Sequence, residues 1–232
     1  MSTGQAIEPL EKMGEPSVTD QVFGVLRHQI LNLTLEPGTK LSEIEVARQM
    51  DVSRQPVRNA FYSLSKQGLL VIRPQRATQV SLISEPDVAQ ANFIRTALEA
   101  ETCRIAAQSM TKDDLKVLET LIQDQFSAEA AGDKPLFHQL DDQFHQEICN
   151  RTGAPHAWEI IYESKAHVDR VRMLSLDLGL RAAIDGHVAI FDAIKARNEV
   201  DAVAALRAHL SRIRIAFNDI KASHPDWFDT DA

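Results

Sequence analysis

From Pro86 onward one period governs the chain. Apolar residues return every three or four positions, and no alternating stretch competes with them. Thr111, Gly132-Asp133, Gly153-Ala154-Pro155, Gly179 and Asn198 interrupt the pattern as caps or breakers, which predicts about six helices. Each such helix has one apolar stripe that another must cover, so the segment is predicted to be an all-α bundle.

Upstream of Pro86 the pattern changes. Residues 1–16 mix Gly, Pro and Glu without periodicity and read as a disordered arm. A helix follows, with Val22, Leu26, Ile30 and Leu33 on one face, and it stops at Glu36-Pro37-Gly38. Ser42 opens a short helix, and Glu45 three residues on predicts a capping box. Asp51-Val52 is the turn. Ser53 caps a third helix that faces Val57, Phe61 and Leu64 inward, tolerates Pro56 in its first turn and ends at Gly68. Two strands are predicted around Leu70–Arg73 and Thr78–Ser81, joined by Pro74-Gln75-Arg76-Ala77. This is the layout of a winged helix-turn-helix over residues 17–81. A linker at 82–86, an all-α domain at 87–222 and a tail at 223–232 complete the organisation.

The exclusions are few but firm. The densest apolar run is Leu69-Leu70-Val71-Ile72, far below the ~18 residues of a membrane span. Glu8, Glu11 and Glu15 with no apolar block argue against a secretory signal. Cys103 and Cys149 sit within helical patterns and read as buried thiols, so a cytoplasmic, reduced protein is expected. The net charge of −8 hides an asymmetry: residues 18–83 carry +3 and residues 84–232 carry −9. A mildly basic module joined to an acidic one keeps a nucleic-acid partner open.

The third helix presents Arg54, Gln55, Arg58 and Asn59 away from its apolar face. Arginine suits bidentate contact with guanine, and Gln or Asn with adenine; Ser53 at the cap suits a phosphate. Arg76 at the ribbon tip suits a groove or the backbone. The stretch "LEPGTKLSEIEVARQMDVSRQPVRNAFYSLSKQGLLVIRPQRATQV" closely resembles the DNA-binding domain of GntR-type bacterial transcription regulators. That resemblance implies that Ser53, Arg54, Arg58 and Arg76 contact operator DNA. Ala77 departs from it, standing where the family's wing tip usually carries Gly.

In the acidic domain Asp141 and His145 are spaced i, i+4 in "LDDQFHQEI" and project from one helix face. His187 and His209 each lie eleven residues from Asn198, the expected turn of a helical hairpin, which sets them at equal height. The four converge as a ligand set for a divalent ion, with zinc first and nickel or manganese as alternatives. Asp142 stacks less well than Asp141. His138 lies two turns from His145, and His28, His138, His156, His167 and His224 are assigned structural or surface roles.

The segments "IRTALEAETCRIAA", "LDDQFHQEI" and "GHVAIFDAIKARN…AVAALRAHL" resemble the ligand-binding (FCD) domain of the FadR subgroup of GntR regulators. The resemblance implies metal ligation by the same Asp141, His145, His187 and His209. It also implies a helical cavity for a small carboxylic acid, faced by Arg95. Gly153-Ala154 replaces the Gly-Asn pair common in that family.

The function expected is therefore a transcription regulator, a repressor by first expectation. It would be a homodimer, since one winged helix reads only a half-site, and a small acid would set its affinity for double-stranded operator DNA. The alternatives are a metal-dependent hydrolytic enzyme, against which no general base stands out beside the histidines, and a regulator whose metal is purely structural.

Overall fold

The computed structural model describes residues 16–73 and 76–229. The expected arm except Pro16, the wing residues Pro74 and Gln75, and residues 230–232 lie outside the described residues. Helix α1 (Val18–Leu31) starts on a reciprocal cap between Ser17 and Asp20 and buries Val22, Leu26 and Ile30. Leu33 does not extend that stripe. It lies past the helix end with φ 65°, where the chain has already turned.

Strand β1 (Lys40–Leu41) precedes α2 (Glu43–Gln49) and α3 (Arg54–Lys66), and β2 (Leu70–Val71) and β3 (Thr78–Val80) follow. The predicted two-stranded ribbon is thus a three-stranded antiparallel sheet of order β1-β3-β2. β1 has two residues, too few for alternation to show in the sequence. The capping box predicted for α2 is absent: Ser42 occupies the N-cap without a side-chain bond. Glu45 instead accepts from Arg48 at 2.6 and 3.0 Å and from Gln49 at 2.7 Å. Ser53 likewise caps α3 by position, without a side-chain bond. Asp51 makes the left-handed turn between the two helices (φ 52°), and Gly68 leaves α3 at φ 71°. Ala77 adopts no positive φ, so the missing glycine puts no strain on the wing.

The helical part comprises α4 (Glu85–Ser109), α5 (Lys112–Ala131), α6 (Lys134–Arg151), α7 (Pro155–Ser164), α8 (Ala166–Lys195) and α9 (Glu199–Ser223). Six helices are predicted and six are described, yet the breaks differ. Gly179 only kinks α8. The break between α7 and α8 falls at Lys165, where no glycine or proline marks it. The Ser84 hydroxyl caps α4 by accepting from the Asp87 amide, so Glu85 and Pro86 of the expected linker are already helical.

One core is built by α4, α5, α6, α8 and α9 around Phe137, Phe144, Leu118 and Ile184. A second fills the N-terminal unit with Val57, Phe61, Leu64 and Val80, and receives Ala166 from α8. Within the expected tail, the described residues Trp227–Asp229 pack against the rest of the chain. Phe228 joins Ile83, Val171 and Phe217 in a third cluster, and Ile83 bonds both the Trp227 carbonyl (2.8 Å) and the Asp229 amide (3.0 Å). Arg27 of α1 donates to the Tyr162 hydroxyl at 2.7 Å and stacks 3.9 Å over its ring. Among the described residues no helix is long and apolar enough to cross a membrane.

Candidate DNA interface and metal centre

Capping and burial decide what α3 offers to solvent. Val57, Ala60, Phe61 and Leu64 point into the core, which leaves Arg54, Gln55, Arg58 and Asn59 on the outer face. The Arg54 and Arg58 side chains are more than half exposed. Gln55 donates to the Asn59 amide oxygen at 3.0 Å, so these two form one unit. Arg76 is exposed on the wing, and its amide bonds the Arg73 carbonyl across the turn.

Glu43 of α2, not singled out in the sequence, reaches both arginines. Its Oε2 accepts from Arg58 at 3.1 and 3.2 Å and lies 3.7 Å from Arg54. Exposed pairs of this kind contribute only about 0.2–1 kcal/mol to stability, so the pairing matters chiefly for where the guanidiniums point. Glu43→Gln is expected to raise affinity for a scrambled duplex severalfold and to lower the ratio of specific to non-specific binding. Fluorescence anisotropy on a selected and a scrambled duplex reads both. An unchanged ratio would mean that Glu43 orients neither arginine.

In the helical part Asp141, His145, His187 and His209 each place a ligand atom within 4.8 Å of all the others. Helix α6 supplies the first two from one face, and the α8–α9 hairpin brings the other rings to 4.5 Å between centroids. Donors around an ion bound at 2.0–2.2 Å are at most about 4.4 Å apart, so the set needs only a slight contraction. The Nε2 atoms of His145 and His187 and the Nδ1 of His209 are buried with no hydrogen-bond partner. Unpaired imidazole nitrogens are costly in a core unless something binds them. Burial, followed by the neighbouring imidazoles, holds His187 well below the usual histidine range; burial and His145 do the same for His209. Neutral imidazole is the form that ligates a metal. The set fits a divalent ion.

The surrounding groups orient these donors. Gln125 Oε1 lies 2.6 Å from His187 Nδ1, while its Nε2 donates to the Leu140 carbonyl at 3.3 Å; this arrangement puts the proton on Nδ1 and leaves Nε2 for a ligand. His145 Nδ1 stands 2.6 Å from Glu99 Oε2, a close polar contact that is poorly aligned as a hydrogen bond. Arg95 pairs with the other Glu99 oxygen at 2.7 Å. Burial alone would raise the Glu99 carboxyl, but Arg95 and His145 outweigh it and hold the group well below the carboxylate range. Arg172 pairs with Asp141 Oδ2, which leaves Oδ1 facing His187 Nε2 at 3.5 Å. Gly186 lets α8 approach α9: a Cβ there would meet His209 Nδ1 at 2.5 Å.

Of these supporting residues, Glu99 has a legible sign, the i, i+4 spacing from Arg95. Gly186 has another, a glycine kept inside a helix next to a ligand histidine, at a cost of about 1 kcal/mol. Gln125 and Arg172 have none. Asp142, the weaker alternative to Asp141, turns away to Lys165 (2.7 Å) and Arg172 (3.1 Å), and His138 groups with Asp142 and Asp169 instead.

Beside the four ligands lies a cavity of about 110 Å³, lined by Arg95, Asp141, Arg172, Ser175, His209 and Arg212. Arg95 is buried, and its Nη2 has no partner. Burial, then the proximity of Arg95, lowers Arg172 to about 9. Three arginines line this small cavity beside Asp141, and the Arg95 Nη2 left without a partner makes it a place for an anion.

The chain is similar to known proteins along most of its length. Residues 18–80 match the family described as bacterial regulatory proteins, gntR family, and residues 90–212 match the FCD domain. The Escherichia coli repressor RspR is 37% identical, the alignment covering 91% of this chain and 93% of that protein. A probable D-xylose utilization operon repressor of Paenarthrobacter nicotinovorans is 29% identical over 87% of this chain and 89% of its own. The solved structure of Escherichia coli McbR superposes with a TM-score of 0.76 at 25% identity, covering 88% of this chain and 99% of that one. A putative regulator from Rhodococcus, at 22% identity and a TM-score of 0.74 over 86% and 97% of the two chains, shares the fold. RspR and the Paenarthrobacter protein are described as transcriptional repressors, and McbR as a transcriptional regulator.

Proposed function

Because the chain belongs to the GntR family of bacterial transcription regulators and carries an FCD domain, we propose that it is a metal-dependent, ligand-responsive repressor. Residues 17–81 serve as the DNA-binding unit, and residues 87–222 as the ligand-binding and dimerisation domain. Two chains bind a near-palindromic operator, since each α3 reads one half-site. Arg54, Arg58 and the Gln55–Asn59 pair face the bases, with Ser53 and Arg76 at phosphates or the minor groove.

The observation that carries the effector reading is the cluster of unpaired imidazole nitrogens beside a cavity lined by three arginines. Asp141, His145, His187 and His209 hold the ion, zinc by donor preference. When bound, an ion that accepts five or six ligands supplies open coordination positions for a carboxylate. Arg95 then pairs with a second anionic group through its free Nη2, and Arg172 keeps Asp141 oriented. The ligand is accordingly a small di- or hydroxy-carboxylic acid, and sugar acids lead the panel to be tried. Its effect on the operator is bounded by its preference for one arrangement of the two DNA-binding units over the other.

Titration of such acids into zinc-loaded and chelated protein, with heat of binding and operator release followed together, tests the reading. Binding confined to the loaded protein, with release of DNA, is expected. Equal binding without metal would make the ion structural and leave the regulator without direct coordination. Turnover of a ligand would revive the hydrolytic alternative.

A further inference from the structure

The first turns of α8 are buried on every side. Lys165 through Val171 form seven consecutive buried positions, and four of them are Lys165, His167, Asp169 and Arg170. A surface helix buries one stripe, so burial all round means that several units meet on this segment. One side faces the metal centre. Arg172 pairs with Asp141, a proposed ligand, and also with Asp142 at 3.1 Å; Lys165 joins Asp142 (2.7 Å) to Asp169 (2.6 Å).

The other side faces the DNA-binding unit. Ala166 sits in that unit's core. His167 Nε2 lies so close to Gly68, which ends α3, that a Cβ there would come within 3.1 Å. His167 Nδ1 receives the Ser84 amide at 3.3 Å and the Arg170 guanidinium at 2.8 Å. Arg170 also donates to the Ser81 carbonyl at 2.6 Å, and the Ser81 hydroxyl returns to the Gly68 carbonyl at 2.5 Å.

Arg170 is the informative member. It is fully buried, forms no salt bridge among the described residues although the Asp87 carboxylate beside His167 acts on it, and leaves its Nε unpaired. Burial lowers it to about 9. A buried guanidinium with no directly paired carboxylate is destabilising compared with an apolar side chain of similar volume. Core filling therefore does not account for it, whereas its grip on the Ser81 carbonyl ties the linker to α8.

We infer that the His167–Arg172 turn is the coupling element of this regulator, with Arg172 touching the metal centre and Arg170 and His167 clamping the linker and the end of α3. The inference rests on the metal-site reading given above. Displacement of α8 at Arg172 is carried along about half a helical turn to Arg170, and from there to Ser81, Ser84 and Gly68.

Amide hydrogen exchange on the full chain tests it, with Zn²⁺ alone as the probe and metal content measured in parallel. In the wild type, Zn²⁺ is expected to change exchange of the Ser81, Ile83 and Ser84 amides by about tenfold, in addition to changes near the ligands. Arg170→Met should keep metal content and helicity but confine the change to the ligand region. Ser81→Ala, a milder lesion that leaves the carbonyl for Arg170, should retain most of the linker response. Full metal content with no linker response in the wild type overturns the relay, as does an undiminished response in Arg170→Met. Failure of the wild type to retain Zn²⁺ overturns the metal reading instead, so the two failures are distinguishable. A merely structural Arg170 would lower the melting temperature of the variant without removing its metal response.

Discussion

Protein loaded with Zn²⁺ is expected to retain about one ion per chain and to lose roughly 5–10 °C of melting temperature on chelation. An ion that binds only the native arrangement stabilises it by about 2.7 kcal/mol at a hundredfold excess over Kd. For a chain of this size each kcal/mol shifts the midpoint by about 2–4 °C. His187→Ala and His209→Ala should each remove most of the ion, because each takes one of four donors that the backbone has already gathered within 4.8 Å. Gly186→Ala should do nearly the same without touching a ligand. Its added methyl would meet His209 Nδ1 at 2.5 Å and force the ring or the α8–α9 contact to move. His138→Ala should leave the ion in place, since that side chain belongs to the Asp142–Asp169 cluster. Elemental analysis with a thermal melt decides among these. Full occupancy in a His187/His209 double variant would assign the ion to other residues.

The second large effect concerns DNA. Arg54→Ala and Arg58→Ala are each expected to weaken operator binding by about 1–3 kcal/mol, the range for one bidentate base contact, or roughly 5- to 150-fold. Neither should alter folding much, because both side chains are exposed and, among the described residues, pair with Glu43 alone. Arg76→Ala should behave differently if the wing meets phosphates. Affinity would then fall on all sequences alike, and the slope of log affinity against log salt would drop by about one. Anisotropy across a salt series separates the two patterns. Unchanged affinity in both α3 variants would remove that helix from the interface.

The sequence by itself determined whatever repeats along a single element. Val57, Phe61 and Leu64 on α3 set its inner face, and therefore which of its polar residues face outward. The i, i+4 pair Asp141 and His145, and the equal offsets of His187 and His209 from Asn198, are enough to group the four donors. The predicted number of helices holds for the same reason: an apolar stripe and its caps are local properties.

The structure decided where local patterns meet a competitor and what depends on residues far apart in the chain. Leu33 keeps the helical spacing yet falls outside α1, because the chain turns after Leu31. Ser42 and Glu45 satisfy the capping pattern, but Arg48 and Gln49 compete successfully for the carboxylate. The break at Lys165 carries no glycine or proline. Instead, two carboxylates from different elements hold its ammonium in the interior, Asp142 on α6 and Asp169 on α8. Gln125, Arg172 and Arg170 look like any solvated polar residues until α5 and α8 are packed. Periodicity reports which side of a helix is dry, whereas these three act through what other helices bring to that side.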